Sequence, residues 1–312
     1  MYTGIKMKNE PRCENIIIEG TNHCNAKCIY CPREKYIHKL QPMPFELYKK
    51  IINEAAELGL KSIGFSSFGE PLRDPYFIRR LKYAKSRVGN VHISVTSTLF
   101  LLKDNQLENL IEYVDVIHIS FCGMTAETYE KIHGGTIKFE RSKNNVLKLI
   151  EKRKYFKSKY PSIVMRYLLM EGLNENEMQK YIKFWEPLVD EVMVWKPHNL
   201  INGRSYRKFD LKSNQSCGRP FSGVYYFDIE GRVTVCCYDF NKRLSIGNVT
   251  DHTIKEILVG EKLEILRKQH TENDFNSLCK ICDQRDFVPD VLVYSTDKTR
   301  KLREFNMLRK EF

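Results

Sequence analysis

Between residues 15 and 197 one pattern recurs: a short apolar run of strand type, then an amphipathic stretch of helical period. The strand-type runs are NIIIEG (15–20), KSIGFSSFGEP (61–71, strand then turn), VHISVTS (91–97), DVIHISFCG (115–123), SIVMRYLLM (162–170) and DEVMVWKP (190–197). Helical signal covers 45–59, where Leu47, Ile51, Ala55 and Leu58 share a face, then 75–87, 125–131 and 139–157. The stretch 104–114 opens on an Asp104 N-cap, and 174–186 opens with Asn174 and Glu177 in capping-box spacing. Six such units fit the roughly 30 residues that a βα unit occupies. Parallel strands joined by helices give a barrel or an open doubly wound sheet, and both place the site on loops at the C-terminal strand ends.

The first of those loops carries CNAKCIYC, which puts Cys24, Cys28 and Cys31 within eight positions. Three thiolates satisfy three irons of a 4Fe-4S cube and leave the fourth open, and an open position marks a catalytic metal centre. The alternative is a zinc site completed by His23 or a distant residue. Compartment bears on the choice. No apolar run approaches the roughly 20 residues of a membrane span, and MYTGIKMKNEPRCE has no apolar signal core, so a cytoplasmic protein with no membrane partner is expected. Disulfides are rare there, so ten cysteines point to metal ligation or redox chemistry.

With its aromatic before the last cysteine, the motif resembles the signature of radical S-adenosylmethionine (SAM) enzymes. That resemblance implies an α/β fold, a partial (β/α)6 TIM-type barrel over residues 1–197, whose open iron is chelated by SAM. One electron, from a reductant such as flavodoxin or ferredoxin, then yields methionine and a 5′-deoxyadenosyl radical that takes hydrogen from carbon. Carried over residue by residue, Tyr30 would pack near the adenine. SSFGEP (66–71) is similar to the Gly-Gly-Glu turn that holds the SAM amino group, with Phe68 in place of the first glycine and Gly69 and Glu70 retained. Ser97 and Thr98 replace Asn and Gly of a ribose-side segment. Ser120 would meet SAM polar groups, and Arg166 would pair with the SAM carboxylate or sit in a barrel salt bridge.

Beyond Pro197 the period is lost, and 198–216 reads as a linker or substrate-facing loop. Residues 223–239 read as a hairpin turning near Glu230-Gly231, and 253–269 as one helix. Cys217, Cys236, Cys279 and Cys282 can close a complete site, either a zinc knuckle or a cluster. Their run with Gly231 resembles the SPASM/twitch extension of radical SAM enzymes in its one-cluster form. It implies a small C-terminal α+β auxiliary iron–sulfur domain (217–290) with one 4Fe-4S cluster. A basic amphipathic helix is expected over 291–312, with Leu302, Phe305 and Leu308 inward.

Three cysteines remain. Cys13 suits core packing. Cys237 and Cys122 are candidate hydrogen-atom donors, with ligation open to Cys237 and wall packing to Cys122. The resemblance implies hydrogen abstraction from a polar small molecule such as a sugar or aminocyclitol, ending in epimerisation or alcohol oxidation. Oxidation would call for a base such as Asp239 or His198. His198, Asn199, Arg204 and Arg207 are candidate substrate contacts, with a solvated linker as the alternative. A net charge of +12 suits an anionic substrate, although the charges are interspersed as on a solvated surface. A peptide substrate is the second reading, weakened because the barrel starts by residue 14 and leaves no room for a fused leader-binding domain. A different class is a non-catalytic iron–sulfur or zinc protein binding nucleic acid, disfavoured by the lack of interleaved aromatics at one basic site.

Overall fold

The computed structural model describes residues 11–199, 215–285 and 292–297. Six parallel strands form in chain order: β1 (Asn15–Ile18), β2 (Ser62–Phe65), β3 (His92–Ser97), β4 (Val116–Ser120), β5 (Ser162–Leu168) and β6 (Glu191–Trp195). They lie side by side as β6-β5-β4-β3-β2-β1 with no reversal of order. A doubly wound sheet reverses order at its switch point. Unbroken order is barrel winding, and six of eight strands leave the barrel partial.

Helices α1 (Phe45–Glu57), α2 (Phe77–Arg87), α3 (Asp104–Tyr113), α4 (Ala126–Ile132), α5 (Phe139–Tyr155) and α6 (Met178–Trp185) cover the outer face. Helix α1 shows why: Phe45, Tyr48, Ile51, Ile52 and Ala55 recur at helical spacing and are all buried. Ile93 and Val95, Ile117 and Ile119, and Ile163, Met165 and Tyr167 bury the other side of this layer. On the concave face the alternate residues Ser94, Thr96, His118, Ser120 and Arg166 are half-buried. A polar, half-open inner face is where a barrel keeps its site.

Several expectations change. Asp104 is the first helical residue rather than the cap, and Gln106 instead accepts from the Lys103 amide (3.0 Å). Asn174 and Glu177 form no capping box. Asn174 accepts from Met170 N–H (2.7 Å) and donates to the Leu168 carbonyl (2.9 Å), while Glu177 accepts from the hydroxyls of Thr125 (2.7 Å) and Thr128 (2.8 Å). Tertiary partners outcompete the local cap. Over 253–269 there are two helices, α7 (Ile254–Leu258) and α8 (Glu261–Thr271), because Gly260 takes an extended conformation between them.

The auxiliary region is not a separate sheet. The hairpin β7 (Val224–Phe227) and β8 (Arg232–Thr234), with β9 (Gly247–Asn248), extends the barrel sheet. Strand β7 pairs in parallel with β1 along Asn15↔Val224 to Ile18↔Phe227. At the opposite edge the segment expected to be helical from 291 opens as strand β10 (Leu292–Ser295), antiparallel to β6. Leu302, Phe305 and Leu308 lie outside the described residues. No described helix is long and apolar enough to cross a membrane.

Candidate functional site

The three-thiol loop leaves β1 through Gly20, where a buried ion pair fixes the exit. Arg80 Nε donates to Asp74 Oδ2 (2.6 Å) with both side chains out of water, and a second Arg80 nitrogen reaches the Gly20 carbonyl (3.4 Å). Backbone bonds then hold the loop from several sides. Lys27 N–H donates to His133 O (3.3 Å), Ile29 N–H to Ile132 O (2.9 Å), and Glu70 N–H to His23 O (2.8 Å). Two glycines permit this approach. A Cβ on Gly69 would overlap the Thr21 carbonyl, and one on Gly134 (φ +70°) the Lys27 carbonyl.

The turn after β2 is clamped on the same loop. Phe68 N–H donates to Glu19 Oε1 (3.1 Å), and Arg33 donates to the carbonyls of Phe68 and Asn22. The Phe68 ring stacks on Tyr36 (6.0 Å, 16°) and meets Phe240 of the auxiliary region (5.3 Å). Phe68 therefore joins the two cysteine regions. Glu70 is buried; its oxygens accept from the Ser97 hydroxyl (2.6 Å), the Thr98 hydroxyl (3.0 Å) and the Thr98 and Leu72 amides. Burial raises its pKa, and these hydrogen bonds pull it back. A carboxylate held by neutral donors alone is a setting that a ligand ammonium group would complete.

Ser120 and Arg166 are register partners on β4 and β5, so the structure brings them together at the C-terminal end. Tyr30 packs against the Cys122 group, and its phenol pKa is raised by burial and by the neighbouring Cys28 and Cys122. Cys122 is 2% exposed and packs with Ile132 and Met170, and Leu168 N–H donates to its sulfur (3.5 Å). Burial pushes this thiol up to about 12. It packs in the wall between the first loop and β4.

Glu19 is a feature the motifs do not flag. It is 2% exposed, and its second carboxylate oxygen has no hydrogen-bond partner. Burial raises its pKa, with Lys242 lowering it. Its one visible signal is an ionisable residue closing the apolar run NIIIEG.

In the second region Cys217, Cys236, Cys279 and Cys282 line one cavity together with Arg219, His270 and Arg285. Helix α9 (Ser277–Lys280) presents Cys279, because the Asn276 side chain caps its first amides (3.0 Å to both Leu278 and Cys279). Four thiols spaced around a cavity suit a cluster of several atoms, and the two guanidinium groups offset its negative charge. Burial raises the thiols Cys24, Cys28 and Cys31 (the last to about 12) in the first loop and Cys236, Cys279 (to about 11) and Cys282 (to about 12) in the second region.

The family models agree with this division. The radical SAM superfamily matches residues 18–184, and the iron–sulfur cluster-binding SPASM domain matches 217–283. The chain belongs to the radical SAM superfamily. This radical SAM enzyme therefore works with a 4Fe-4S cluster and SAM, and its SPASM region carries auxiliary iron–sulfur chemistry. It is similar to the tungsten-containing aldehyde ferredoxin oxidoreductase cofactor-modifying protein of Pyrococcus furiosus, at 24% identity over 318 residues, covering 87% of each chain. A GTP 3′,8-cyclase of Clostridium botulinum is 30% identical over 246 residues, covering 76% of this chain and 73% of that one. Among solved structures, BtrN in complex with AdoMet and 2-DOIA shares the fold (TM-score 0.59, 19% identity, 86% of this chain and 92% of that one). So does Streptococcus suis SuiB bound to precursor peptide SuiA (TM-score 0.65, 12% identity, 88% and 70%).

Two of the candidate substrate contacts lie against the segment after Cys282. Asn199 N–H donates to Asp283 Oδ2 (2.8 Å), and His198 Nδ1 meets Gln284 Nε2 (2.7 Å) while its ring packs edge-on to Tyr238. Both brace the segment after Cys282. Arg204 and Arg207 lie outside the described residues. Asp239 is buried, with one oxygen accepting from Leu244 N–H (2.6 Å).

Proposed function

We propose that this enzyme abstracts a hydrogen atom from a carbon of a polar small molecule and that Cys237 returns one to the opposite face, an epimerisation. In this reading Cys24, Cys28 and Cys31 hold the SAM cluster, and Cys217, Cys236, Cys279 and Cys282 hold one auxiliary cluster. Glu70 accepts the ammonium group of SAM, and Arg166 with Ser120 offers donors to its carboxylate. When bound, SAM and its cluster supply the radical that takes the hydrogen.

One observation carries the choice of Cys237. Tyr226 is the register partner of Ile17, on the face that Gly64, Ser94 and Thr96 share, and Cys237 lies near its phenol, whose pKa is raised first by burial and then by the neighbouring thiol. This neighbourhood supports Cys237 as the donor on the concave side, whereas Cys122 is buried among Ile132 and Met170. Cys237 S–H gives its hydrogen to the substrate radical, and the thiyl radical left behind takes one electron from a one-electron carrier and one proton from solvent. The polar concave face suits a sugar-like substrate.

The test begins with anaerobic, reconstituted enzyme, dithionite, SAM and a panel of aminocyclitols and nucleotide sugars, scored by 5′-deoxyadenosine release. With the compound that raises release, turnover in deuterated water should place one deuterium on the inverted carbon. Cys237→Ala should lose that label at unchanged iron content. A carbonyl product without deuterium would replace this reading with alcohol oxidation.

A further inference from the structure

Glu19 directly follows β1 and ties three parts of the molecule together. Its amide donates to the Phe227 carbonyl at the end of β7 (2.9 Å). Its Oε1 accepts from the Phe68 amide (3.1 Å), in the turn that leads to Glu70. That turn needs holding, because Ser67 sits at φ +140°, a strained backbone position that persists only when its surroundings fix it. Arg33 grips the Phe68 carbonyl from the other side, and the Phe68 ring meets Phe240 of the auxiliary region (5.3 Å).

The Glu19 side chain is 2% exposed, and its Oε2 takes no hydrogen bond. A carboxylate so far from water keeps its charge only beside a cation. Asp228, the neighbouring buried acid, is already matched by Arg232 Nε (2.7 Å) and by the amides of Glu230 (3.0 Å) and Arg232 (2.9 Å). Lys242 is left for Glu19. It is itself buried, and its charge opposes the rise that burial causes in the Glu19 pKa. Its backbone is pinned in the left-handed region (φ +53°), its amide donating to the Asp239 carbonyl (3.1 Å) and its carbonyl accepting from the Ser245 amide (3.2 Å).

We propose that Glu19 is a positioning residue for SAM, holding the Phe68 amide and through it the Glu70 turn, and that Lys242 of the auxiliary region keeps Glu19 charged for that task. A charged acceptor grips an amide more strongly than a neutral one. The auxiliary region thus contributes to SAM binding through a side chain as well as through its cluster. The inference rests on the reading that Glu70 accepts the SAM ammonium group.

The test uses anaerobic reconstituted enzyme and labelled SAM. The Kd is read by equilibrium dialysis and by the change that SAM makes in the EPR signal of the reduced cluster, at matched iron content. Lys242→Met should weaken SAM binding about tenfold, since it leaves a buried charge unmatched. Adding Glu19→Gln to that variant should bring the Kd back to within about threefold of wild type, because the amide oxygen still accepts from Phe68 and no charge needs a partner. Glu19→Leu offers no acceptor and should lose about a hundredfold in either background. A merely structural role for Lys242 would not be reversed by the second substitution. Wild-type binding in Lys242→Met would overturn the inference, as would a double variant no better than Lys242→Met. Wild-type binding in Glu70→Gln would instead sink the Glu70 reading, and the inference with it. All of this is read without turnover, so the outcome stands apart from whether epimerisation is observed.

Discussion

The two cysteine sites are built in opposite ways. Cys24, Cys28 and Cys31 come from one loop, and backbone bonds to Ile132, His133 and Glu70 shape that loop. The other four thiols come from a turn, a strand end and a short helix, and their side chains meet only around a cavity. A contiguous loop shaped by its neighbours can present three ligands and leave a fourth corner for a substrate-sized molecule. Ligands gathered from distant segments depend on the metal to hold them, so binding energy there becomes folding energy.

The largest expected effect separates these designs. Cys24→Ala should reduce SAM cleavage to background while the auxiliary iron and the thermal midpoint stay near wild type. Cys282→Ala should lower the midpoint by roughly 5–10 °C. Equal midpoints for the two variants, measured by calorimetry on reconstituted protein, would break the comparison. Next comes Gly69→Ala, whose added methyl overlaps the Thr21 carbonyl. It should cost about 3 kcal/mol and abolish SAM binding, with the auxiliary spectrum unchanged.

The smallest effect concerns acid. His133 is fully buried behind the first loop, and desolvation lowers its pKa from 6.5 to about 4. The unfolded chain takes up a proton through this window and the folded chain does not, so stability is whole above pH 6.5 and falls on acidification. The loss should be about 2 kcal/mol by pH 5, read by urea unfolding of iron-free protein, and His133→Gln should remove that part. His270, in the wall of the second cavity, is also lowered to about 4, by burial and then by Arg285. A residual acid sensitivity in His133→Gln is therefore expected from the auxiliary side.

Much of this was legible in the residues. The six strands and the helix faces follow from hydrophobic period, a local property, while period alone left the strand order between a barrel and an open doubly wound sheet. What was not legible depends on partners far away in the chain. Asn174 and Glu177 have capping-box spacing, yet Met170 and Thr125 claim them. His198 and Asn199 look like exposed polar loop residues until Gln284 and Asp283 meet them. The covering of Cys122 by Tyr30 needs the loop and β4 in place together. Gly260 could have warned of the break between α7 and α8, since glycine interrupts helices more often than it extends them.

Strand β1 lies between β2 and β7, so one of its two edges waits for residues 224–227. On a ribosome adding about 5–20 residues per second, that edge stands bare for on the order of 10–40 s. A bare edge is a template for wrong pairing between nascent chains. Yield of correctly assembled enzyme should therefore be governed by translation speed and chaperone cover early in synthesis, before iron delivery becomes the bottleneck.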